Sequence, residues 1–194
     1  MTTFVALLRS INVGGRNRVL MADLASLVES LGFGDVETYV QSGNVVFTGS
    51  GAPKSAARAI EGAIADQLGL EVPVMVRSRK QLSGLLEVNP FLRSGADPKF
   101  LHVTLLAGPP APDRRQLLVG SETASGVDHP YGDDRFELVG SDVFLHCPGG
   151  YGTTKLNNAF FERRTGVVAT TRNWRTVTTL ARMAGLSVTD PAGP

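Results

Sequence analysis

The chain is poor in cysteine and in aromatic residues, and it has almost no excess of charge of either sign. Cys147 is the single cysteine among 194 residues, so an intramolecular disulfide is impossible and a reducing compartment is expected. Aromatic residues make up 7%, and the formal net charge is +1, so no global field draws the chain to nucleic acid or to a membrane. Any preference for anions must come from local clusters.

Long hydrophobic runs are missing as well. No apolar stretch approaches the ~20 residues that span a bilayer, and residues 1–4 lack the basic region and apolar stretch of a signal peptide. Hydrophobic residues nevertheless make up 42% and charged residues 19%, which is typical of globular proteins and argues against disorder. We therefore predict a cytoplasmic protein without membrane contact.

Motifs of the common enzyme classes do not occur. His102, His129 and His146 lack metal-ligand spacing, and the sequence has neither a nucleophile elbow nor a paired-carboxylate motif. Cys147 fits a small buried hydrophobe better than a nucleophile, which needs a basic neighbour to lower its pKa. No metal site is predicted, and both the catalytic residues and any cofactor stay unknown.

Hydrophobic periodicity predicts strands and helices in the order β-α-β-β-α-β in the first half. Leu24, Leu27 and Val28 lie at helical spacing, and runs of β-formers flank a hairpin at 41–44. The predicted strands are 4–8, 36–40, 45–47 and 72–76, and the predicted helices are 21–31 and 54–68. Pro73 suits an edge strand, because proline cannot donate to a ladder.

The same order is predicted again in the second half. The strands are 101–106, 136–139, 143–146 and 167–170, the helices are 113–119 and 154–164, a linking helix covers 79–88, and a closing helix covers 173–184. Residues 5–8 match 103–106 and residues 43–47 match 141–145, both at an offset of 98. Residues 74–78 match 169–173 at an offset of 95. Three matches in order favour internal duplication over chance.

These patterns predict an α+β protein with two tandem units and antiparallel sheets. The first unit is placed at 1–78, the linking helix and loop at 79–98, the second unit with its closing helix at 99–188, and a tail at 189–194. A right-handed crossover puts the third strand of each unit antiparallel between the first and second. The end of the first strand and the hairpin then share one edge, and the ends of the third and fourth strands share the opposite edge.

The unusual polar and glycine-rich segments fall at these edges. In the first half, 9–18 should meet the hairpin 41–44, and in the second half 149–155 should meet 171–174. The predicted ligand-binding residues are Arg9, Asn12, Gly14, Gly15, Arg16, Asn17, Gln41, Ser42 and Asn44 in the first half, and Gly150, Tyr151, Gly152, Thr154, Lys155, Asn158, Arg172, Asn173 and Trp174 in the second.

The chemistry predicted for both clusters is anion binding. Backbone N–H groups beside glycine can approach a ligand closely, and Arg9, Arg16 and Arg18 flank them in the first half. In the second half Thr153 or Thr154 is expected to cap a helix with Lys155 in its first turn, where the N–H groups and the dipole favour phosphate or carboxylate. The Gly-Lys-Ser/Thr order of a P-loop does not occur, so no ATPase is predicted.

Purely structural interpretations stay open. Glycines after strands are commonly turns, and Asn44 also suits a hairpin turn. Trp174, Val177 and Leu180 have helical spacing, which favours a core tryptophan over a platform that stacks a ring.

Four segments together resemble the bacterial DUF1697 family. They are LLRSINVGG at 7–15, YVQSGNVVF at 39–47, GYGTTKLNN at 150–158 and ATTRNW at 169–174, and the resemblance covers roughly residues 3–185. Ser10 and Arg16 stand where the family pattern carries glycine and lysine. The resemblance implies a duplicated ferredoxin-like fold. Because the function of this family is undefined, the resemblance implies no catalytic residue.

The leading hypothesis is a binding protein for a phosphate-bearing ligand, such as a nucleotide or a nucleic-acid end, held by backbone N–H groups and the basic side chains of Arg9, Arg16, Lys155 and Arg172. One alternative is a small-molecule enzyme that uses the same anion pocket, with Lys155 or Thr154 as working groups. Another is a protein-interaction or assembly module, since open sheets offer edges to a partner. The oligomeric state is not predicted.

Overall fold

A computed structural model describes residues 1–15, 17–118 and 131–188 of the chain. Predicted positions 16, 119, 129 and 189–194 lie outside these residues. The described chain divides into two compact units, one formed by 1–84 with 179–188 and the other by 85–178. The residues 179–188 of the closing segment thus group with the first unit. No helix within the described ranges is long and apolar enough to cross a membrane.

The first unit has the predicted β-α-β-β-α-β order. Its elements are β1 (Thr2–Leu8), α1 (Met21–Ser30), β2 (Gly34–Tyr39), β3 (Asn44–Gly49), α2 (Pro53–Leu68) and β4 (Val74–Ser78), followed by α3 (Arg79–Glu87). The sheet order is β2-β3-β1-β4, with every neighbouring pair antiparallel. The strand after Pro73 is therefore an edge strand, as predicted.

The second unit repeats this topology. It comprises α4 (Pro90–Arg93), a short 3-10 helix (Pro98–Phe100), β5 (Leu101–Leu106), α5 (Pro112–Gln116), β6 (Arg135–Val139), β7 (Asp142–His146), α6 (Asn158–Thr165) and β8 (Ala169–Asn173), and α7 (Trp174–Met183) follows. Its sheet order is β6-β7-β5-β8, again antiparallel throughout. The fold is α+β with two tandem ferredoxin-like units, as predicted.

Equivalent backbone hydrogen bonds hold the same edge in each unit. At the end of the first strand, Leu8 N donates to Gly43 O at 2.8 Å, and Leu106 N donates to Ser141 O at 3.0 Å. The next residue then donates to the segment before the last strand, from Arg9 N to the carbonyl of residue 73 and from Ala107 N to that of residue 168, both at 2.9 Å. The end of the first strand therefore meets the hairpin, as the predicted topology requires.

A glutamate of the second helix binds the last strand in both units. Glu61 Oε1 accepts from Val74 N at 2.8 Å, and Glu162 Oε1 accepts from Ala169 N at 3.0 Å. Both strands lie at a sheet edge, so the carboxylate satisfies an N–H at the start of a strand that has only one neighbour.

Apolar residues at helical and strand spacing build a separate core in each unit. In the first unit, Leu24, Leu27 and Val28 of α1 and Ile60 and Ile64 of α2 pack on the sheet. Burial of each such side chain is worth roughly 1.5–3 kcal/mol. The second core contains Leu106, Leu118, Phe136, Val143, Leu145, Cys147, Leu156, Phe160, Phe161 and Ala169.

The second helices of the two units differ in length. The first, α2, has 16 residues with Pro53 at its start, whereas α6 has 8. The predicted start at residue 154 is wrong by four positions, because Asn157 is the N-cap and its Oδ1 accepts from Phe160 N at 3.0 Å. Thr154 and Lys155 consequently lie in the loop that precedes the helix.

Candidate functional site

The first polar edge is held together by Asn12. Its Nδ2 donates to Val19 O and to Gln41 O, both at 2.9 Å, and its Oδ1 accepts from Val19 N at 2.9 Å. One amide thus joins both ends of the loop after β1 to the hairpin between β2 and β3. The predicted meeting of residues 9–18 with 41–44 is present.

The hairpin side of this edge is fixed by Asn44. This residue is fully buried, and its Nδ2 donates to Tyr39 O at 3.0 Å and to Ser42 Oγ at 2.9 Å. Gly43 approaches so closely that a Cβ there would lie 2.6 Å from Cδ1 of Ile11. Asn44 therefore serves the hairpin turn, which is the structural alternative that its sequence position suggests.

A cavity of about 590 Å³ opens beside this junction. Its lining residues are Asn12, Gly15, Arg18, Val19, Leu20, Asp23, Gln41 and Leu68. Of the predicted residues of the first half, Asn12, Gly15 and Gln41 line it, Arg9, Gly14, Asn17, Ser42 and Asn44 do not, and Arg16 lies outside the described residues. A cavity of this size falls within the range of small-molecule and cofactor sites.

Backbone strain is concentrated at the same edge. Five non-glycine residues of the described chain have positive φ, and four of them, Ser10, Asn12, Asn17 and Val40, lie here. A β-branched residue with positive φ, such as Val40 with φ of 49°, is a genuine outlier. Conformations of this kind cost about 1–3 kcal/mol each and cluster at ligand sites.

The cavity also meets the N-terminus of α1. The N-cap position is Leu20, which makes no side-chain capping bond and is among the residue types least suited to do so. The first N–H groups of a helix have no intrahelical partner, and the macrodipole places partial positive charge there. Arg18 adds a full positive charge on the same wall.

The second polar edge brings a different set of side chains together. Thr171 Oγ1 donates to Asn158 Oδ1 at 2.7 Å and lies 2.6 Å from Thr104 Oγ1. Because the single hydroxyl hydrogen of Thr171 goes to Asn158, Thr104 must be the donor in the second bond. The ring of Tyr151 stacks on His102 with centroids 4.7 Å apart. The segment 149–155, which we call the glycine loop, therefore covers the end of β8, as the topology predicts.

Burial shifts the titration of this stacked pair. Desolvation lowers the pKa of His102, and the nearby Phe100 carbonyl opposes this shift. Desolvation raises the pKa of Tyr151, against a smaller lowering by hydrogen bonding to Thr171. Both rings are thus held in their neutral forms at neutral pH.

Arg172 lies on the opposite face of β8 from Thr171 but still acts electrostatically on Tyr151. Thr171 pairs with Thr104 in the sheet, whereas Arg172 pairs with Val103, so their side chains point to opposite faces. Arg172 donates to Thr170 Oγ1 at 2.8 Å, and desolvation lowers its pKa to about 10, which leaves it charged at neutral pH.

The remaining predicted residues of the second half occupy varied positions. Trp174 is only 3% exposed and belongs to the core, as its spacing indicates. Thr154 Oγ1 donates to Asp134 Oδ2 and accepts from Leu156 N, so this hydroxyl shapes the loop. Asn173 Oδ1 accepts from the N–H of residue 176, and Gly150, Gly152 and Lys155 lie in the glycine loop, where Gly152 and Lys155 are exposed.

Nucleophilic and metal chemistry gain no support from the geometry. Cys147 is fully buried, and desolvation raises the pKa of its thiol to about 11, with the charge of Asp134 acting in the same direction. The thiol is therefore protonated at neutral pH. Within the ranges that the structure describes, no group of three or more histidine, cysteine or acidic side chains could hold a metal ion.

Several site residues escaped the sequence-based prediction. Asp23 and Leu68 lie on helices and reach the cavity only through tertiary packing. His102 and Thr104 lie on β5, a strand buried along most of its length. The sequence does contain a signal for them: His102 and Thr104 alternate with apolar residues, which indicates that one face of this strand is polar.

The comparisons with known proteins agree with this architecture. The chain is similar to a solved structure, the conserved bacterial protein SP0830 from Streptococcus pneumoniae, at 23% identity and a TM-score of 0.73. The alignment covers 94% of this chain and 98% of that one. No curated protein matches the chain in sequence.

Fold and edge geometry define an α+β protein with two ferredoxin-like units and loop-built polar edges. The family model described as "Protein of unknown function (DUF1697)" matches residues 1–144. The chain belongs to the DUF1697 family, as the sequence motifs indicate. The match includes the whole cavity of the first unit and ends before the glycine loop of the second.

Proposed function

We propose that the chain binds a phosphate-bearing ligand, such as a nucleotide or a nucleic-acid end, in the cavity of the first unit. The observation that carries this proposal is the cavity of about 590 Å³ at the uncapped N-terminus of α1, with Arg18 on its wall. Free N–H groups, a helix dipole and a guanidinium together favour an anion.

The other walls suit the remainder of such a ligand. Val19 and Leu68 offer apolar surface for a ring, and the exposed Gln41 side chain offers an amide for hydrogen bonding. Gly15 has φ of 77° and is exposed, so its backbone leaves room for a close approach. The strained backbone of this edge is consistent with a surface selected for binding.

A titration of the intact protein tests the proposal. Inorganic phosphate, nucleotides and short oligonucleotides are added while amide spectra and the melting temperature are followed. We expect shifts for residues 15–23, an increase in melting temperature, and affinity that weakens as salt is added. No change with any of these probes would refute the proposal.

A matched pair of variants locates the site. Arg18→Gln removes the guanidinium from the cavity wall, and Arg58→Gln makes the same change at an exposed position of α2 that does not line the cavity. Loss of a hydrogen bond to a charged group is worth about 1.5–3 kcal/mol, or roughly 10-fold to 100-fold in affinity. Equal weakening by the two variants would mean that general charge, rather than this cavity, attracts the ligand.

The alternative functions gain less from the geometry. An enzyme that uses Thr154 would have to release its hydroxyl from Asp134 and from Leu156 N. An interaction module would use Val13 and Val40, the exposed apolar residues at the polar edge of the first unit. We also propose that the two units arose by internal duplication, supported by their equivalent backbone bonds, and that the chain works in the cytoplasm, supported by its single buried cysteine.

A further inference from the structure

The cavity of the first unit carries two opposite charges that do not pair. Arg18 and Asp23 both line it, and neither side chain makes an ion pair or hydrogen bond with another described residue. Both are exposed to solvent. A site built for a bare anion gains nothing from a carboxylate on its wall, because that charge repels the ligand.

A carboxylate becomes useful when the ligand also carries hydroxyl donors. An ionised carboxyl group only accepts hydrogen bonds, and its two oxygens can accept from two neighbouring hydroxyl groups at once. Acidic residues bind ribose hydroxyls in this way in dinucleotide-binding folds. Val19, Leu20 and Leu68 complete the cavity with apolar surface that suits a planar ring.

We infer that the cavity selects a ribonucleoside monophosphate, with Arg18 on the phosphate, Asp23 on the ribose diol and the apolar wall on the base. This inference rests on the proposed function and deepens it. Asp23 is then the residue that separates ribonucleotides from deoxyribonucleotides and from inorganic phosphate.

Calorimetric titration of the full chain with four probes tests this assignment. The probes are AMP, 2′-deoxy-AMP, 3′-deoxy-AMP and inorganic phosphate. We expect AMP to bind about 10-fold more tightly than either deoxynucleotide, as loss of a hydrogen bond to a charged group predicts. In Asp23→Asn this ratio should fall towards one, while inorganic phosphate binds as tightly as before or more tightly.

Glu29→Gln is the matched control, since it removes one negative charge from an exposed position of the same helix away from the cavity. It should leave the AMP preference unchanged. The comparison of AMP with its deoxy analogues in the wild-type chain needs no variant, so it stands even if Asp23→Asn folds poorly.

The outcomes separate this inference from the proposed function. Equal binding of AMP and both deoxynucleotides by the wild-type chain overturns the ribose assignment and leaves phosphate binding intact. Equal weakening of all three nucleotides in Asp23→Asn overturns the role of Asp23 in selection. Failure of all four probes, phosphate included, removes this inference, and the proposed function falls if oligonucleotides also fail.

Discussion

The close approach of Gly43 to Leu8 and Ile11 gives the sharpest prediction from the structure. Gly43 has φ of 70°, and a Cβ there would lie 2.6 Å from Ile11 Cδ1, 2.8 Å from Ile11 Cγ1 and 2.8 Å from Leu8 Cβ. Ile11 and Leu8 are buried, so they have little room to move. The change Gly43→Ala therefore adds a methyl group to a filled space as well as straining the backbone.

The magnitude follows from these two contributions. A left-handed conformation costs a residue with a Cβ roughly 1–2 kcal/mol, and overpacking costs typically about 1–3 kcal/mol. We expect Gly43→Ala to lower the free energy of unfolding by about 2–5 kcal/mol in total. Urea unfolding followed by far-UV circular dichroism measures it.

The second unit contains a matched control. Gly140 lies in the equivalent hairpin with φ of 65°, and nothing lies within 4 Å of a Cβ placed there. Gly140→Ala should therefore cost only the backbone contribution of roughly 1–2 kcal/mol. If the two alanine variants lose the same stability, the close packing of Gly43 against Leu8 and Ile11 is refuted.

A double mutant identifies the partner. Ile11→Val removes Cδ1, which is the atom nearest to the added methyl group. The loss of stability in Gly43→Ala with Ile11→Val should be smaller than the sum of the two single losses, because the variants share one contact. Strict additivity would exclude Ile11 as the clashing residue.

Three further predictions concern single side chains. Asn12→Ala should lower the free energy of unfolding by about 1–3 kcal/mol in urea, because it leaves Val19 and Gln41 backbone groups without partners; a loss no larger than that of exposed Ser26→Ala would contradict this. Cys147 should resist thiol reagents in the native protein, since a pKa of about 11 leaves ~0.1% thiolate at pH 8, and labelling that is as fast as in urea would show the thiol to be accessible. Burial lowers the pKa of His102, so on acidification the unfolded chain binds this proton at a higher pH than the folded chain does, and the free energy of unfolding should decline as the pH falls below ~6.5. Thermal melts of His102→Gln should show a smaller decline. An unchanged pH dependence in this variant would assign the effect to other groups.

The topology was predictable because local signals agreed with each other. Pro73 marked an edge strand, and the hairpin at 41–44 brought the end of β1 beside Asn44. Strand pairing follows from chain direction and crossover handedness, which a sequence pattern carries. The meeting of each glycine-rich segment with its neighbouring loop was predictable for the same reason.

The set of residues that line the cavity could not be predicted from the sequence in the same way. Asp23 and Leu68 are 45 positions apart and belong to different helices, so only packing brings them to one wall. The start of α6 was missed because Thr154 bonds to Asp134, 20 residues earlier in the chain, and Asn157 takes the capping position. Hydrogen bonds between side chains so far apart in the chain produce no periodic pattern in the sequence.

The glutamate that binds the start of the last strand has a consequence for assembly. β4 and β8 are outer strands, and an outer strand with open N–H groups is a template on which another chain can add. Glu61 and Glu162 each occupy one such group and place a negative charge at the rim. A shift of β4 or β8 by one residue would break this hydrogen bond and move every side chain of the strand to the opposite face of the sheet. In each unit, the glutamate therefore disfavours incorrect strand pairing and aggregation at this edge.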